Sequence, residues 1–229
     1  MSFEEKQDEI DALYKEGKYQ QVFEEFTKIY EKEPDNLNVV WRFARAHFDL
    51  GEAEKDATKK NEYLTKGLEL INKALELKGG EEEAAVHKWR AILISETSKL
   101  AGTTERIKQA FVIRDEAKKA LELDPTDPTP PFILGLWCYN VAGIGWMTRK
   151  LAATFFAEPP TATYQDSIDY HLKSHALEPN FKRNLYGLTL AYEAIGDKAK
   201  AKEFGQLTAA VKSISARDEE IDQAVAKYT

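Results

Sequence analysis

Cysteine is almost absent from this sequence of 229 residues, because Cys138 is its single example. No internal disulfide can form, and the sequence contains no Asn-x-Ser/Thr glycosylation acceptor. The first residues, Met1 to Lys6, are acidic where a signal peptide or a mitochondrial presequence would be basic and apolar. These absences argue against a disulfide-stapled secreted domain and predict a cytoplasmic protein.

Long apolar runs are also missing. Residues 132–147 carry no charge, but the run is shorter than the ~20 residues that a membrane span needs. Asn140 and three glycines interrupt it. We therefore predict a buried core helix here and no transmembrane segment.

The chain lacks an excess of basic residues, since its net charge is −7. This balance argues against nucleic acid as a partner, because such binding draws its affinity from Lys and Arg that contact phosphates. The charge is uneven, however, and residues 182–212 hold six basic groups against three acidic ones. This stretch predicts a basic face that binds an acidic partner such as the tails of tubulin, anionic lipid or an acidic protein. The basic face comprises Lys182, Arg183, Lys198, Lys200 and Lys202.

Repeated helix endings are the strongest positive feature. The string Ala117 to Pro125 has small residues, then large apolar ones, then a proline, as at the end of a tetratricopeptide unit. Related endings recur at Pro34, at Gly79 and Gly80, and at Pro179. The pattern predicts an all-α fold, a tetratricopeptide-like solenoid of helical hairpins.

The spacing of these endings predicts a single repeat domain over residues 1–229 with elongated middle repeats and a C-terminal capping helix. Turn glycines are expected after three first helices, at Gly17, Gly51 and Gly196. The predicted units are 3–34, 37–79, 82–125, 128–179 with an inserted helix at about 146–157, and 182–212, followed by the capping helix at 213–228.

No set of residues forms a catalytic constellation. His171 and His175 are four apart on one helix, but no third metal ligand accompanies them, so packed and hydrogen-bonded histidines are the better interpretation. Cys138 lies between aromatic residues and is expected to behave as a small hydrophobe. Gly143 and Gly145 lack the third glycine of a phosphate loop and indicate a tight helix-helix contact. The sequence thus predicts no enzymatic activity, no metal site and no cofactor.

The inserted helix is unusual for a plain repeat. Its aromatic residues are expected to lie in a concave groove and to contact a partner helix or an acyl chain, with two basic side chains meeting an anionic group. An insertion that only seals the core between two repeats is the alternative. The groove residues under the first hypothesis are Trp146, Arg149, Lys150, Leu151, Phe155 and Phe156.

The stretch from Gly135 to Tyr164 resembles the regulator of microtubule dynamics family, and the likeness extends to His87-Lys88-Trp89 and to residues 107–125. The resemblance implies a tetratricopeptide-like fold, association with microtubules, a role at the mitotic spindle and in chromosome segregation, and no catalytic activity. It also implies phospholipid binding in those relatives that carry an N-terminal membrane anchor. This sequence begins almost directly with the first repeat, which favours a cytoskeletal role over membrane tethering.

Our first hypothesis is therefore a non-enzymatic adaptor in the cytoplasm, on the cytoskeleton and at the mitotic spindle, with tubulin or microtubules and spindle-associated proteins as partners. Two alternatives stay open at this point. One is a lipid-binding or lipid-transfer module that takes up phospholipid. The other is a peptide-binding scaffold without direct tubulin contact.

Overall fold

The computed structural model describes residues 2–99, 102–145, 149–150, 153–154 and 160–229. Within these ranges the chain forms eleven α-helices and no strand, which confirms the predicted all-α fold. The helices belong to two compact units, residues 1–101 and 102–229. A single repeat domain over the whole chain stays a prediction.

Unit 1 consists of helices that each pack against the next one along the chain, with α3 also contacting α5. Its core is a cluster of fully buried side chains that includes Val22, Phe26, Val39 and Ile71. The helices are α1 (Phe3–Lys15), α2 (Tyr19–Tyr30), α3 (Leu37–Ala53), α4 (Ala57–Glu76) and α5 (Ala84–Ser98), with a 3-10 turn at Gly80–Glu82.

Local residues explain where these helices begin and end. Ser2 and Glu5 form a capping box at the start of α1, and Asp56 accepts hydrogen bonds from two backbone amides at the start of α4. Gly17 ends the first hairpin helix with a φ of 71°, a conformation that favours glycine. The predicted turn at Gly51 is wrong, because α3 continues to Ala53. A Cβ atom at Gly51 would lie 3.2 Å from Cδ2 of Leu64, so this glycine permits close packing of α3 and α4 instead.

Unit 2 continues the same pattern of consecutive packed helices, and the last helix contacts both helices of the hairpin before it. The capping helix predicted at 213–228 is present as α11 followed by a 3-10 turn at Ala226–Tyr228. The helices of unit 2 are α6 (Thr103–Leu123), α7 (Thr129–Ala142), α8 (Tyr164–Leu177), α9 (Lys182–Ala194), α10 (Lys198–Ala210) and α11 (Ala216–Val225).

In the predicted units 37–79 and 82–125 the extra length lies largely in longer helices, whereas the two described helices of the unit 128–179 have 14 residues each. Helices α3 to α6 have 15 to 21 residues, whereas α1, α2, α9 and α10 have 12 or 13. Residues 132–142 of the apolar run belong to α7, a largely buried helix, as predicted for this part of the run. No helix in the described part of the chain is long and apolar enough to cross a membrane. Of the predicted inserted helix, the structure describes residues 149–150 and 153–154, which are helical.

The tight helix contact predicted at Gly143 and Gly145 stays a prediction, because residues 146–148 next to them lie outside the described part of the chain. Gly143 caps the end of α7, where a Cβ atom would lie 3.4 Å from the hydroxyl of Tyr164, and a Cβ atom at Gly145 would meet no described residue within 4 Å. Closer contacts occur at Gly135 on α7 and Gly187 on α9, which lie on either side of the His171 ring of α8. A Cβ atom at these glycines would come within 2.7 Å and 2.4 Å of that ring.

His171 is fully buried and joins α8 to α9. The side-chain amide of Asn184 donates to the backbone oxygen of His171 (2.9 Å), so its Oδ1, 2.7 Å from Nδ1 of His171, is the acceptor in the second bond. Nδ1 therefore carries the proton of a neutral ring. Burial lowers the pKa of His171 to about 4. These contacts confirm the interpretation of His171 as a packed, hydrogen-bonded histidine.

Candidate partner-binding surfaces

Lys182 is not part of an exposed basic face, which corrects the sequence interpretation. Only 5% of its side chain is exposed, and Nζ donates to the backbone oxygen of Val211 (2.6 Å) and to Ser213 Oγ (3.0 Å). It also pairs with Oδ1 of Asp222 at 2.5 Å. The Lys182 ammonium thus ties the first turn of α9 to the α10–α11 connection and to α11. It is a structural charge and unavailable to a partner.

Replacing Lys182 by Met should lower the free energy of unfolding by about 1–3 kcal/mol, because its buried hydrogen bonds to Val211 and Ser213 are lost. Urea denaturation followed by circular dichroism measures this change. Lys202→Met on the exposed surface of α10 is the matched control, for which we expect a change within about 0.5 kcal/mol. Equal stability of the two variants would contradict the structural role of Lys182.

The remaining lysines of the basic face lie on α10, which begins at the N-cap Asp197. Lys198 and Lys202 are exposed, and neither side chain has an ion pair within the described residues. They are four residues apart and therefore share one side of the helix. Lys200 lies on the opposite side of the buried face of α10 and pairs with Glu203 at 2.9 Å. The structure thus brings Lys198 and Lys202 together and separates Lys200 from them.

Arg183 lies elsewhere, at a groove between α7, α9 and α11. Its Nε is 3.5 Å from Oδ1 of Asp218, and 29% of its side chain is exposed. The basic face predicted from the sequence groups Arg183 with the lysines of α10, and the groove was not predictable because it depends on residues from three separate helices.

The guanidinium of Arg149, with a predicted role at an anionic group, is held by backbone oxygens of the chain itself. Its guanidinium donates to the backbone oxygens of Val141 (2.5 Å), Ile144 (3.1 Å) and Pro160 (3.2 Å). It therefore holds the end of α7 and the return of the chain at Pro160 together. The Lys150 side chain is exposed. Four other predicted groove residues, Trp146, Leu151, Phe155 and Phe156, lie outside the described residues, so the lipid-binding hypothesis stays a prediction.

Unit 1 contains a cluster of arginine and aromatic side chains that was not predicted from the sequence. The guanidinium of Arg42 lies 4.0 Å from the centre of the Trp41 ring, and that of Arg45 lies 4.1 Å from the Tyr14 ring and 5.5 Å from the Trp89 ring. Such contacts hold arginines in fixed orientations at a helix surface. The signal in the sequence is the Trp41-Arg42 pair with a second arginine one turn later.

Cys138, His47 and His87 are residue types that can act as nucleophiles or metal ligands, but each is buried and engaged within the fold. Cys138 is buried, and burial raises the pKa of its thiol to about 11, which keeps it protonated at neutral pH. His47 and His87 contact backbone oxygens of Phe43 and Glu81 at 2.9 Å and 3.0 Å. No group of three or more potential metal ligands occurs among the residues that the structure describes.

Comparison with known proteins assigns the chain to a family. The sequence model of the family described as regulator of microtubule dynamics protein 1-3 matches residues 7–229. The chain belongs to this family. Regulator of microtubule dynamics protein 1 of Mus musculus is 34% identical over 84% of the chain, and regulator of microtubule dynamics protein 3 of Rattus norvegicus is 34% identical over 78% of it. The chain spans 63% of the mouse protein and 38% of the rat protein.

Solved structures confirm the tetratricopeptide-like fold. TTC0263, a thermophilic tetratricopeptide repeat protein of Thermus thermophilus, aligns with a TM-score of 0.65 at 14% identity, over 96% of this chain and 94% of that one. The MamA protein aligns with a TM-score of 0.53 at 15% identity, over 96% and 92% of the two chains. At these identities the likeness concerns the fold alone.

Proposed function

We propose that this member of the regulator of microtubule dynamics family is a non-enzymatic adaptor that associates with microtubules and with spindle proteins. In this role it acts in microtubule dynamics and chromosome segregation, in the cytoplasm and at the mitotic spindle. The match of the family over residues 7–229 carries the proposal. Repeat folds of this kind serve mainly as binding scaffolds, which supports a role without catalysis.

Lys198 and Lys202 are the residues that we propose for the contact with microtubules. They share one exposed side of α10, although the net charge of the whole chain is −7. An acidic polymer attracts such a local cluster of cations even when the protein as a whole is negative, because screening confines each charge to about 8–10 Å in physiological salt. The acidic carboxyl-terminal tails of tubulin are the surface with complementary charge.

Co-sedimentation of the purified chain with polymerised tubulin tests this proposal. The double variant Lys198→Glu/Lys202→Glu should bind about tenfold more weakly than the wild type, because two attractive contacts become repulsive. Binding should also fall with rising salt and after the acidic tails of tubulin are removed by subtilisin. Lys200→Glu alone should have a much smaller effect, since this side chain lies on the other side of α10.

The control is Lys59→Glu/Lys66→Glu on α4, which places the same charge change on two exposed lysines of unit 1. This variant has the same net charge as the α10 variant, so a general electrostatic effect would weaken both equally. Absence of the wild-type chain from the microtubule pellet at low salt would contradict direct association. Equal binding by the two double variants would contradict the assignment to α10.

A further inference from the structure

An open groove in unit 2, which we call the terminal groove, is formed by α7, α9 and α11 and has a volume of about 260 Å³. Its surface is largely apolar, with side chains from all three helices: Phe132, Leu136, Tyr186, Leu190 and Ile221. Polar groups at the groove are the guanidinium groups of Arg183 and Arg217 and the carboxylate of Glu220. Apolar surface beside cationic side chains is the composition of a site that recognises an apolar group next to an anion.

Arg183 is held in position for such recognition. Its Nε lies 3.5 Å from Oδ1 of Asp218, whose side chain is only 7% exposed. This contact involves one of the five N–H donors of a guanidinium, and 29% of the Arg183 side chain stays open to solvent. The buried carboxylate of Asp218 thus orients the Arg183 guanidinium, while part of the Arg183 side chain stays exposed to solvent. A carboxylate is the ligand group that matches such an oriented fork of donors.

The floor of the groove is rigid. Gly187 of α9 is one of its lining residues, and behind it lies the buried ring of His171. The paired hydrogen bonds between His171 and Asn184 fix α9 against α8. A groove on such a support is formed before its ligand arrives, which reduces the entropy lost on binding.

We propose that the terminal groove binds a peptide segment in which an apolar side chain stands next to an aspartate or glutamate. The apolar side chain would contact Leu136, Leu190 and Ile221, and the neighbouring carboxylate would pair with Arg183 and Arg217. The volume is below the ~300–1,000 Å³ of most small-molecule sites and suits one side chain with the adjoining backbone. Glu220 disfavours a long run of acidic residues, which separates this ligand from the acidic tails proposed for α10.

Selection from a displayed library of random 12-residue peptides on the full chain tests the proposal without a prior choice of sequence. We expect the selected peptides to share an Asp or Glu beside Leu, Ile or Phe. The best of them, synthesised with a fluorescent label, is then titrated by fluorescence anisotropy. Arg183→Gln, Arg217→Gln and Leu190→Asp should each weaken its binding about tenfold or more, because each removes a charged hydrogen bond or places a charge on the apolar surface.

Leu207→Asp is the matched control. Leu207 lies on α10, is 42% exposed and does not line the groove, so the peptide should bind this variant as it binds the wild type. Circular dichroism establishes that each variant is folded, and Arg217→Gln serves if Arg183→Gln is unstable. A selection without enriched peptides, a shared motif without an acidic residue, or wild-type binding by the folded groove variants would overturn the proposal. None of these outcomes depends on whether the chain associates with microtubules.

Discussion

Lowering the pH from 6.5 to about 4 should reduce the free energy of unfolding by about 3 kcal/mol through His171 alone. Its ring stays neutral in the folded protein until the pH reaches a pKa of about 4, whereas an unfolded histidine titrates near 6.5. Between these two values the unfolded chain binds the additional proton. The stabilisation is therefore complete above pH 6.5 and is lost progressively as the pH falls towards 4, at about 1.4 kcal/mol for each pH unit.

The chemical cause is the environment of Nε2. Nδ1 already donates to Asn184, so a second proton would have to reside on Nε2, which is buried and has no hydrogen-bond partner among the described residues. The Gly187 backbone packs against this edge of the ring, which prevents water from solvating the cation.

Urea denaturation of the wild type and of His171→Gln between pH 7.5 and pH 4.5 measures the effect. The glutamine amide can still hydrogen-bond to Asn184 but does not titrate, so the variant should lose the part of the pH dependence that begins near 6.5. His47 has a pKa lowered by burial as well, and its contribution is the same in both proteins. Parallel stability curves for the two proteins would show that His171 does not control the acid sensitivity.

The sequence predicted the helical hairpins because their ends are encoded locally. Pro34, Pro125 and Pro179 stop helices, since proline lacks an amide hydrogen and restricts the residue before it. Gly17 and Gly196 adopt positive φ angles at hairpin turns. Gly51 lies inside a long helix and permits close packing against α4 instead of forming a turn. Whether a glycine serves a turn or close packing is decided by the helix that packs against it, which the local sequence does not show.

The surfaces were less predictable, since exposure depends on distant parts of the chain. Lys182 and Lys202 are both helical lysines in one basic stretch, yet the first is buried under Val211, Ser213 and Asp222, which lie 29 to 40 residues later. No local pattern distinguishes the two. Periodicity alone would have separated Lys200 from Lys198 and Lys202, because their spacing places them on different sides of α10. Charge counting over a window does not record this difference.

Gly187→Ala should lower the free energy of unfolding by about 1–3 kcal/mol, although the same change in an ordinary helix interior is stabilising by up to about 1 kcal/mol. The new Cβ atom would lie 2.4 Å from Cε1 and 2.6 Å from Nε2 of His171. Neither side can move easily, because His171 is fully buried and its ring is also in contact with Gly135 on the opposite side. Gly145→Ala, whose Cβ atom would meet no described residue within 4 Å, is the control and should be near neutral.

A double-mutant cycle with His171→Ala separates this steric effect from a general intolerance of α9 to substitution. His171→Ala alone should cost about 2–4 kcal/mol, because it leaves a cavity and removes the hydrogen bond to Asn184. In that background the ring is absent, so Gly187→Ala should become neutral or stabilising, with a coupling energy of at least about 1 kcal/mol. Additive effects in the cycle would mean that His171 does not set the distance between α8 and α9. The rigid floor of the terminal groove depends on that distance, so the same cycle tests the support on which peptide binding is proposed to rest.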